Sequence, residues 1–171
     1  MFDRLVDLIV QFIHLFKFWV VVDAYEKGVL LRFGLFNKIL EPGFHWCIPF
    51  SVDQPLVEGV VPATHSLGDE ATVTKDGKTA AFHAVVTYQV RDIKKALLDV
   101  LDTDHAVRDA CAGEIGKVMR ERTWEELQHS EALLDDLTAA CRKRGFRYGI
   151  EIMSIQLASL ALAKNIRLMQ R

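Results

Sequence analysis

Six histidines (His14, His45, His65, His83, His105, His129), three cysteines (Cys47, Cys111, Cys141) and two adjacent carboxylate pairs are the side chains equipped for metal, nucleophilic or acid–base chemistry. Their spacing argues against each use. A helical zinc site needs two histidines one turn apart on one face, and no His-x-x-x-His occurs. Glu125-Glu126 and Asp135-Asp136 are sequence neighbours, which a helix turns to different sides, so they read as solvated residues rather than an acid/base pair. The cysteines are odd in number, widely spaced and lack a Cys-x-x-Cys pair. They read as reduced thiols on a cytosolic face, each a small buried apolar group. No Gly-x-Ser-x-Gly, phosphate-cradling glycine loop or dinucleotide fingerprint is present. Trp124 reads as a packing anchor, and His83 as facing solvent or a neighbouring subunit. The expectation is a chain without catalytic residues, metal or cofactor.

The scaffold behind those residues is one compact domain with an appendage, as 171 residues allow. Half the residues are hydrophobic, enough for a real core, and a net charge of −2 implies no strongly charged partner. The densest cationic run, Arg142-Lys143-Arg144-Gly145-Phe146-Arg147, is too short for a nucleic-acid stripe and suits a helix C-terminus.

Asp76-Gly77 separates two β-prone runs and predicts a hairpin through a type I′ turn. Beyond it Phe82, Ala84, Val86, Tyr88 and Val90 alternate with His83, Val85, Thr87 and Gln89, a half-buried strand. Upstream, residues 20–33 read as two strands joined at Glu26-Lys27-Gly28, and Pro42-Gly43 as a type II turn. Pro49, Pro55 and Pro62 keep the following strands short or at an edge. Downstream the spacing predicts helices over 92–101, over 104–122 (stripe Val107, Ala110, Cys111, Ile115, Val118, Met119) and from a Ser130 cap to Arg144, with Gly145 at C′. Gly113 and Gly116 read as points of close packing on the sheet. Thr123 and Glu126 match a capping box. A last strand is expected at 150–157, and a helix from Ser159.

Six segments taken in order carry a family likeness. They are Val29-Leu30-Leu31-Arg32-Phe33-Gly34; Leu40-Glu41-Pro42-Gly43-Phe44-His45-Trp46 with Ile48-Pro49-Phe50; Val73 to Val90; Ala96-Leu97-Leu98 leading into Ala106-Val107-Arg108; Arg120-Glu121-Arg122-Thr123-Trp124-Glu125-Glu126-Leu127; and Gly149-Ile150-Glu151. Together they resemble the SPFH (band 7) domain of stomatins, prohibitins and flotillins over roughly residues 20–157. The resemblance implies an α+β fold, with a mixed, mostly antiparallel sheet packed by helices. It implies a non-enzymatic membrane scaffold that oligomerises and has membrane proteases, channels or lipid-microdomain components as clients. Relatives continue into a long heptad helix, whereas this sequence stops at Arg171. Contacts between domains, rather than a long coiled coil, are therefore expected to join copies.

Residues 2–22 wind into an amphipathic helix. Phe2, Leu5, Ile9, Phe12, Ile13, Phe16 and Trp19 lie on its apolar face; Asp3, Arg4, Asp7, Gln11, His14 and Lys17 lie opposite. A signal peptide does not fit the interrupted apolar run. A spanning helix would set Gln11 and His14 near the bilayer centre. An interfacial helix leaves all six polar groups wet and is preferred; packing on its own domain or on a neighbouring subunit is the third reading. Phe2 stands where N-myristoylation needs glycine. The expected organisation is an anchor helix over 1–19, an SPFH-like domain over 20–157 and a helical tail over 158–171. The expected function is a scaffold on the cytoplasmic membrane face, partnered by membrane lipid and by copies of itself. The alternative is a soluble regulatory subunit that docks its first helix on a partner protein.

Overall fold

The computed structural model describes residues 18–130 and 132–163. Among these residues, eight strands form three antiparallel sheets, a finer division than the single mixed sheet expected. β1 (Trp19–Val22) pairs with β4 (Gly43–Trp46) as a two-stranded ribbon. β2 (Glu26–Arg32) lies between β3 (Leu35–Leu40) and β5 (Asp53–Gly59). β7 (Thr79–Val90) lies between β6 (Ala63–Val73) and β8 (Ile150–Leu162). Four helices follow β7: α1 (Ile93–Leu98), α2 (Thr103–Arg120), α3 (Trp124–His129) and α4 (Leu133–Gly145).

The main core forms where the alternating face of β7 meets α2 and α4. Phe82, Ala84, Val86 and Tyr88 pack there with Val107, Cys111, Ile115, Met119, Leu137 and Cys141. Trp124 packs partly buried against this cluster, as an anchor should. A second cluster joins Val20 and Val22 of the ribbon to Leu30 and Leu40. A third joins Val29 to Val90, Ile93 and Ala96. Val29 and Leu30, neighbours on β2, thus bury opposite faces of one strand, which ties the ribbon to the helical layer.

The predicted Asp76-Gly77 hairpin is present with a different turn. Thr74 to Lys78 form a five-residue loop, and only Gly77 takes a positive φ, +78°. Asp76 is held by tertiary bonds instead. Its carboxylate accepts from Thr74 Oγ1 at 2.5 Å and from the Trp124 N–H at 3.2 Å, and pairs with Lys78 at 2.8 Å. The Lys78 ammonium, then the Thr74 hydroxyl, depress the Asp76 carboxyl to a pKa of about 2. The hairpin tip is therefore docked on the α2–α3 junction, where Lys75 N–H also donates to Arg122 O at 2.9 Å.

Other expectations shift by local chemistry. The turn between β1 and β2 falls at residues 23–25, ahead of Glu26, and those strands do not pair with each other. Ser130 is not the cap of α4; its hydroxyl accepts from Arg122 at 3.1 Å. Gly145 stays helical, and the left-handed stop is Gly149 (φ +73°), after a short 3₁₀ turn over Phe146–Tyr148. Nothing lies within 4 Å of a Cβ built on Gly113 or Gly116, so neither glycine serves close packing. The Thr123/Glu126 capping box forms as read. β8 runs to Leu162 by pairing with Ala80 to Phe82, so residues 158–162 of the expected helical tail are strand. Residues 164–171 lie outside the described residues.

Candidate functional site

Six of the seven residues assigned to the apolar N-terminal face (Phe2, Leu5, Ile9, Phe12, Ile13, Phe16) lie outside the described residues. Trp19 lies inside them, in β1 rather than in a helix. Its new context is informative. Strand alternation sends Val20 and Val22 into the second core cluster and leaves Trp19 and Val21 outside. β4 repeats the arrangement across the ribbon, with Trp46 opposite Trp19 and Phe44 opposite Val21. The Phe44 and Trp46 rings meet edge to face at 5.3 Å, a favoured aromatic geometry. One face of the ribbon is thus wholly apolar and uncovered among the described residues.

Two chain reversals extend it. Phe33 (φ +52°) and Gly34 (φ +75°) make the tight turn from β2 to β3, and Phe33 N–H donates to Val52 O at 2.8 Å. The loop from Cys47 to Val52 carries Ile48 and Phe50, with Phe50 and Ser51 both at positive φ. Bulky L-residues avoid this region, so its use at two phenylalanines marks backbone held by its surroundings. The holding group is Asp53. Its buried carboxylate accepts from Arg32 Nε at 2.8 Å, from Arg32 Nη2 at 3.1 Å and from the Ile48 N–H at 2.8 Å. The Arg32 bonds keep the Asp53 carboxyl below its usual range against the opposing effect of burial. At the other end of the loop, Cys47 N–H donates to Phe18 O at 2.8 Å. Loop, turn and ribbon therefore form one hydrogen-bonded unit. It presents Trp19, Val21, Phe33, Leu35, Phe44, Trp46, Ile48 and Phe50 at 44–76% exposure, and large apolar side chains exposed together in this way mark an interaction surface.

Sequence reading found only Trp19 of this set. The alternation Phe44-His45-Trp46 was a usable signal for the ribbon. The outward aim of Phe33 and Phe50 had none, because it depends on Asp53, which lies distant in sequence from Arg32.

The other polar groups do structural work. His83 bonds Ser66 Oγ at 3.0 Å and Asp69 at 2.8 Å on the half-exposed sheet face. Cys111 and Cys141 are buried together, Cys141 Sγ lying 3.7 Å from Cys111 O; the adjoining Cys111 side chain, then burial, pushes the Cys141 thiol far up. Among the described residues, no group of three or more His, Cys, Asp or Glu is placed to hold a metal ion. Among them too, no helix is long and apolar enough to cross a membrane.

Comparison with known proteins adds to this geometry. The profile described as SPFH domain / Band 7 family matches residues 20–168. An uncharacterized protein of Methanocaldococcus jannaschii is 26% identical over 149 residues, covering 86% of this chain and 74% of the relative. Stomatin-like protein stl-1 of Caenorhabditis elegans is 25% identical over 150 residues, 85% of this chain and 45% of its own length. The modulator of FtsH protease HflK of Escherichia coli is 29% identical over 113 residues, 64% of this chain and 26% of its own. The chain thus spans less than half the length of the stomatin-like and HflK relatives it matches.

Proposed function

The chain belongs to the SPFH domain / Band 7 family, and from that premise we propose that it is a non-catalytic, membrane-associated scaffold on the cytoplasmic leaflet. It assembles laterally and organises membrane proteins or lipids. The single observation that carries this reading is the uncovered aromatic unit built from ribbon, turn and loop. It begins at Trp19, where the amphipathic N-terminal sequence ends. Tryptophan and phenylalanine rings suit the boundary between headgroups and acyl chains, where an apolar body is buried and the backbone stays hydrated. In this reading the face of Phe2, Leu5, Ile9, Phe12, Ile13 and Phe16 inserts first, and Phe33, Trp46 and Phe50 enter beside it. The domain then rests against the bilayer at two places. Lateral assembly multiplies anchors that are individually weak, since each added copy binds as part of a linked array.

Vesicle flotation tests it. Trp19→Ser, Phe44→Ser and Trp46→Ser combined face outward and leave the second core cluster intact. They are expected to lower the bound fraction strongly, and deletion of residues 1–17 to lower it further. Full membrane binding by both variants would refute the anchoring scheme.

A second reading draws on the name of the Escherichia coli relative, a modulator of FtsH protease. Here the same apolar unit and N-terminal segment dock on a membrane-protease partner. Recovery of a stable lipid-free complex with such a protease would favour it over direct lipid contact.

A further inference from the structure

On the far side of β2 from the ribbon, β5, α1 and the α1–α2 connection enclose a groove of about 700 Å³. Its floor is apolar, with buried Ala96 and the half-buried Leu97 and Leu98, while Leu56 and the fully exposed Leu101 stand at its edge. Its rim is acidic, with Glu58, Asp99, Asp102 and Asp104 and no lysine or arginine among the lining residues. The only basic side chains within ion-pair range of these carboxylates, among the described residues, are two imidazoles, His65 at 3.8 Å from Asp104 and His105 at 3.9 Å from Asp102. Burial, then the charge of Asp104, pushes the Glu58 carboxyl above its usual range, as expected where negative charge is crowded and uncompensated.

The same domain carries the opposite surface. Lys143, Arg144 and Arg147 cluster with Lys117 and a single carboxylate, Glu114, near the C-terminal end of α4, and Phe146 in the same stretch is 56% exposed. Arg142, the other cation of that run, is engaged by Ile152 O and Met153 O. Lys143, Arg144 and Arg147 enter no ion pair among the described residues, and Lys117 pairs with Glu114. The two surfaces cannot neutralise each other within one molecule. Asp104 and Lys117 both lie on α2, and the thirteen helical steps from one to the other span about 20 Å at 1.5 Å per residue. That exceeds two Debye lengths of roughly 8 Å at physiological salt.

We infer that the groove of one copy receives the Lys143–Arg147 ridge of a second copy, with Phe146 over the leucine floor and the cations against the acidic rim. Both halves of the match are present in one chain, an acidic rim around an apolar floor and cations beside an exposed aromatic ring. Aromatic and arginine side chains are the usual anchors of such contacts. The inference rests on the scaffold reading only in requiring that copies meet.

Carbodiimide cross-linking of the full chain on phosphatidylcholine vesicles tests it, because the reagent joins a lysine amine to a carboxylate without a spacer. Equal parts of natural-abundance and ¹⁵N-labelled protein mark links between copies. The expected product is a mixed-isotope link from Lys143 or Lys117 to a groove carboxylate, lost in high salt. Glu58→Lys with Asp99→Lys spares Asp92 and Asp102, whose carboxylates cap the N-termini of α1 and α2, and Lys143→Glu with Arg147→Glu spares Arg142. Each pair of reversals is expected to raise the concentration for half-assembly roughly tenfold or more, as like charges then face each other. All four together should restore assembly. Absence of mixed-isotope links, or no rescue by the fourfold variant in a chain that still melts cooperatively, overturns the inference. So does loss of flotation in the Lys143→Glu/Arg147→Glu variant with cross-links unchanged, which assigns the ridge to anionic lipid. Retained flotation with lost cross-linking in the reversal pairs supports the contact and leaves the membrane reading standing apart from it.

Discussion

Phe33→Asn is expected to make the protein more stable and worse at binding membranes. Phe33 sits at φ +52° in the first central position of a two-residue turn, with Gly34 at +75° in the second. A left-handed conformation costs an ordinary L-residue roughly 1–2 kcal/mol, and asparagine is among the few that tolerate it. The substitution creates Asn-Gly, the pair that such a turn prefers. Little packing is lost in water, because Phe33 is 76% exposed. The expected gain is about 1 kcal/mol, or about 2–4 °C in Tm for a chain of this size. On a bilayer the balance reverses. Burying a phenylalanine side chain is worth about 1.5–3 kcal/mol, of which the exposed three-quarters leaves roughly 1–2. At 1.4 kcal/mol per tenfold, partitioning should fall about 5- to 30-fold. Thermal melts of lipid-free protein and flotation across a lipid titration read the two effects separately. A Tm lowered by several degrees would mean that Phe33 packs on the domain. An unchanged partition coefficient would remove the turn from the membrane-facing surface.

The glycines separate by surroundings. Gly149→Ala places a Cβ 2.6 Å from Asp92 O at φ +73° and is expected to destabilise the fold by several kcal/mol, whereas Gly113→Ala and Gly116→Ala meet nothing within 4 Å and should each add up to about 1 kcal/mol in chemical denaturation. Acid should loosen the domain in a defined direction. Asp53, Asp76, Glu126 and Glu151 titrate below their unfolded values because of Arg32, Lys78, Thr123 and Arg91 respectively. Their contribution is therefore complete above the unfolded carboxylate pKa, about 4, and is lost as pH falls through each folded value, about 2 for Asp76. Midpoints measured from pH 6 down to 2 should drop, and Asp76→Asn should flatten the low end of that curve. A thiol reagent should modify only the half-exposed Cys47 in the native chain, with Cys111 and Cys141 reacting on unfolding.

Most of the domain's local grammar was legible because it rests on near neighbours. The 82–90 alternation, the Thr123/Glu126 box and the Val107, Cys111, Ile115, Met119 stripe each depend on residues within a few positions. Errors arose where a distant partner decided. Asp-Gly predicts a type I′ turn until Trp124 and Lys78 bind the Asp76 carboxylate. Gly145 looks like a C′ glycine, yet the chain needs its left-handed residue only at Gly149, whose carbonyl accepts the N–H groups of Arg91 and Asp92 at 2.9 Å each. The run Ala158-Ser159-Leu160-Ala161-Leu162 has helical composition, but β7 pairs with four of its residues, Ser159 to Leu162, continuing a ladder already begun at Ile150, and pairing prevails. Trp19 joined the helical face because the apolar period of residues 2–16 continues through it; β4, more than twenty residues later, makes it a strand residue.

The strained tips bear on what the apolar unit touches. A rigid protein partner rewards a flat or concave surface whose shape it can match, and its affinity comes from close packing at the centre of the contact. Phe33 and Phe50 are instead carried on chain reversals at positive φ, each with more than half of its surface exposed. Such geometry costs folding energy without improving the core, and Asp53 is the buried charge that holds it in place. A fluid acyl layer accepts convex side chains without needing a matched surface, so the same projection that would spoil a rigid interface increases the area removed from water. The ribbon supports the tips from beside, since Trp19 and Trp46 lie on one exposed face with Val21 and Phe44. If a protein were the natural cover, Asp53→Asn, which frees the Cys47–Val52 loop, would abolish its binding by losing the matched shape. If lipid is the cover, the freed loop still carries Ile48 and Phe50, and flotation should weaken only a few-fold. That difference in severity, measured on one variant with both kinds of target, separates the two.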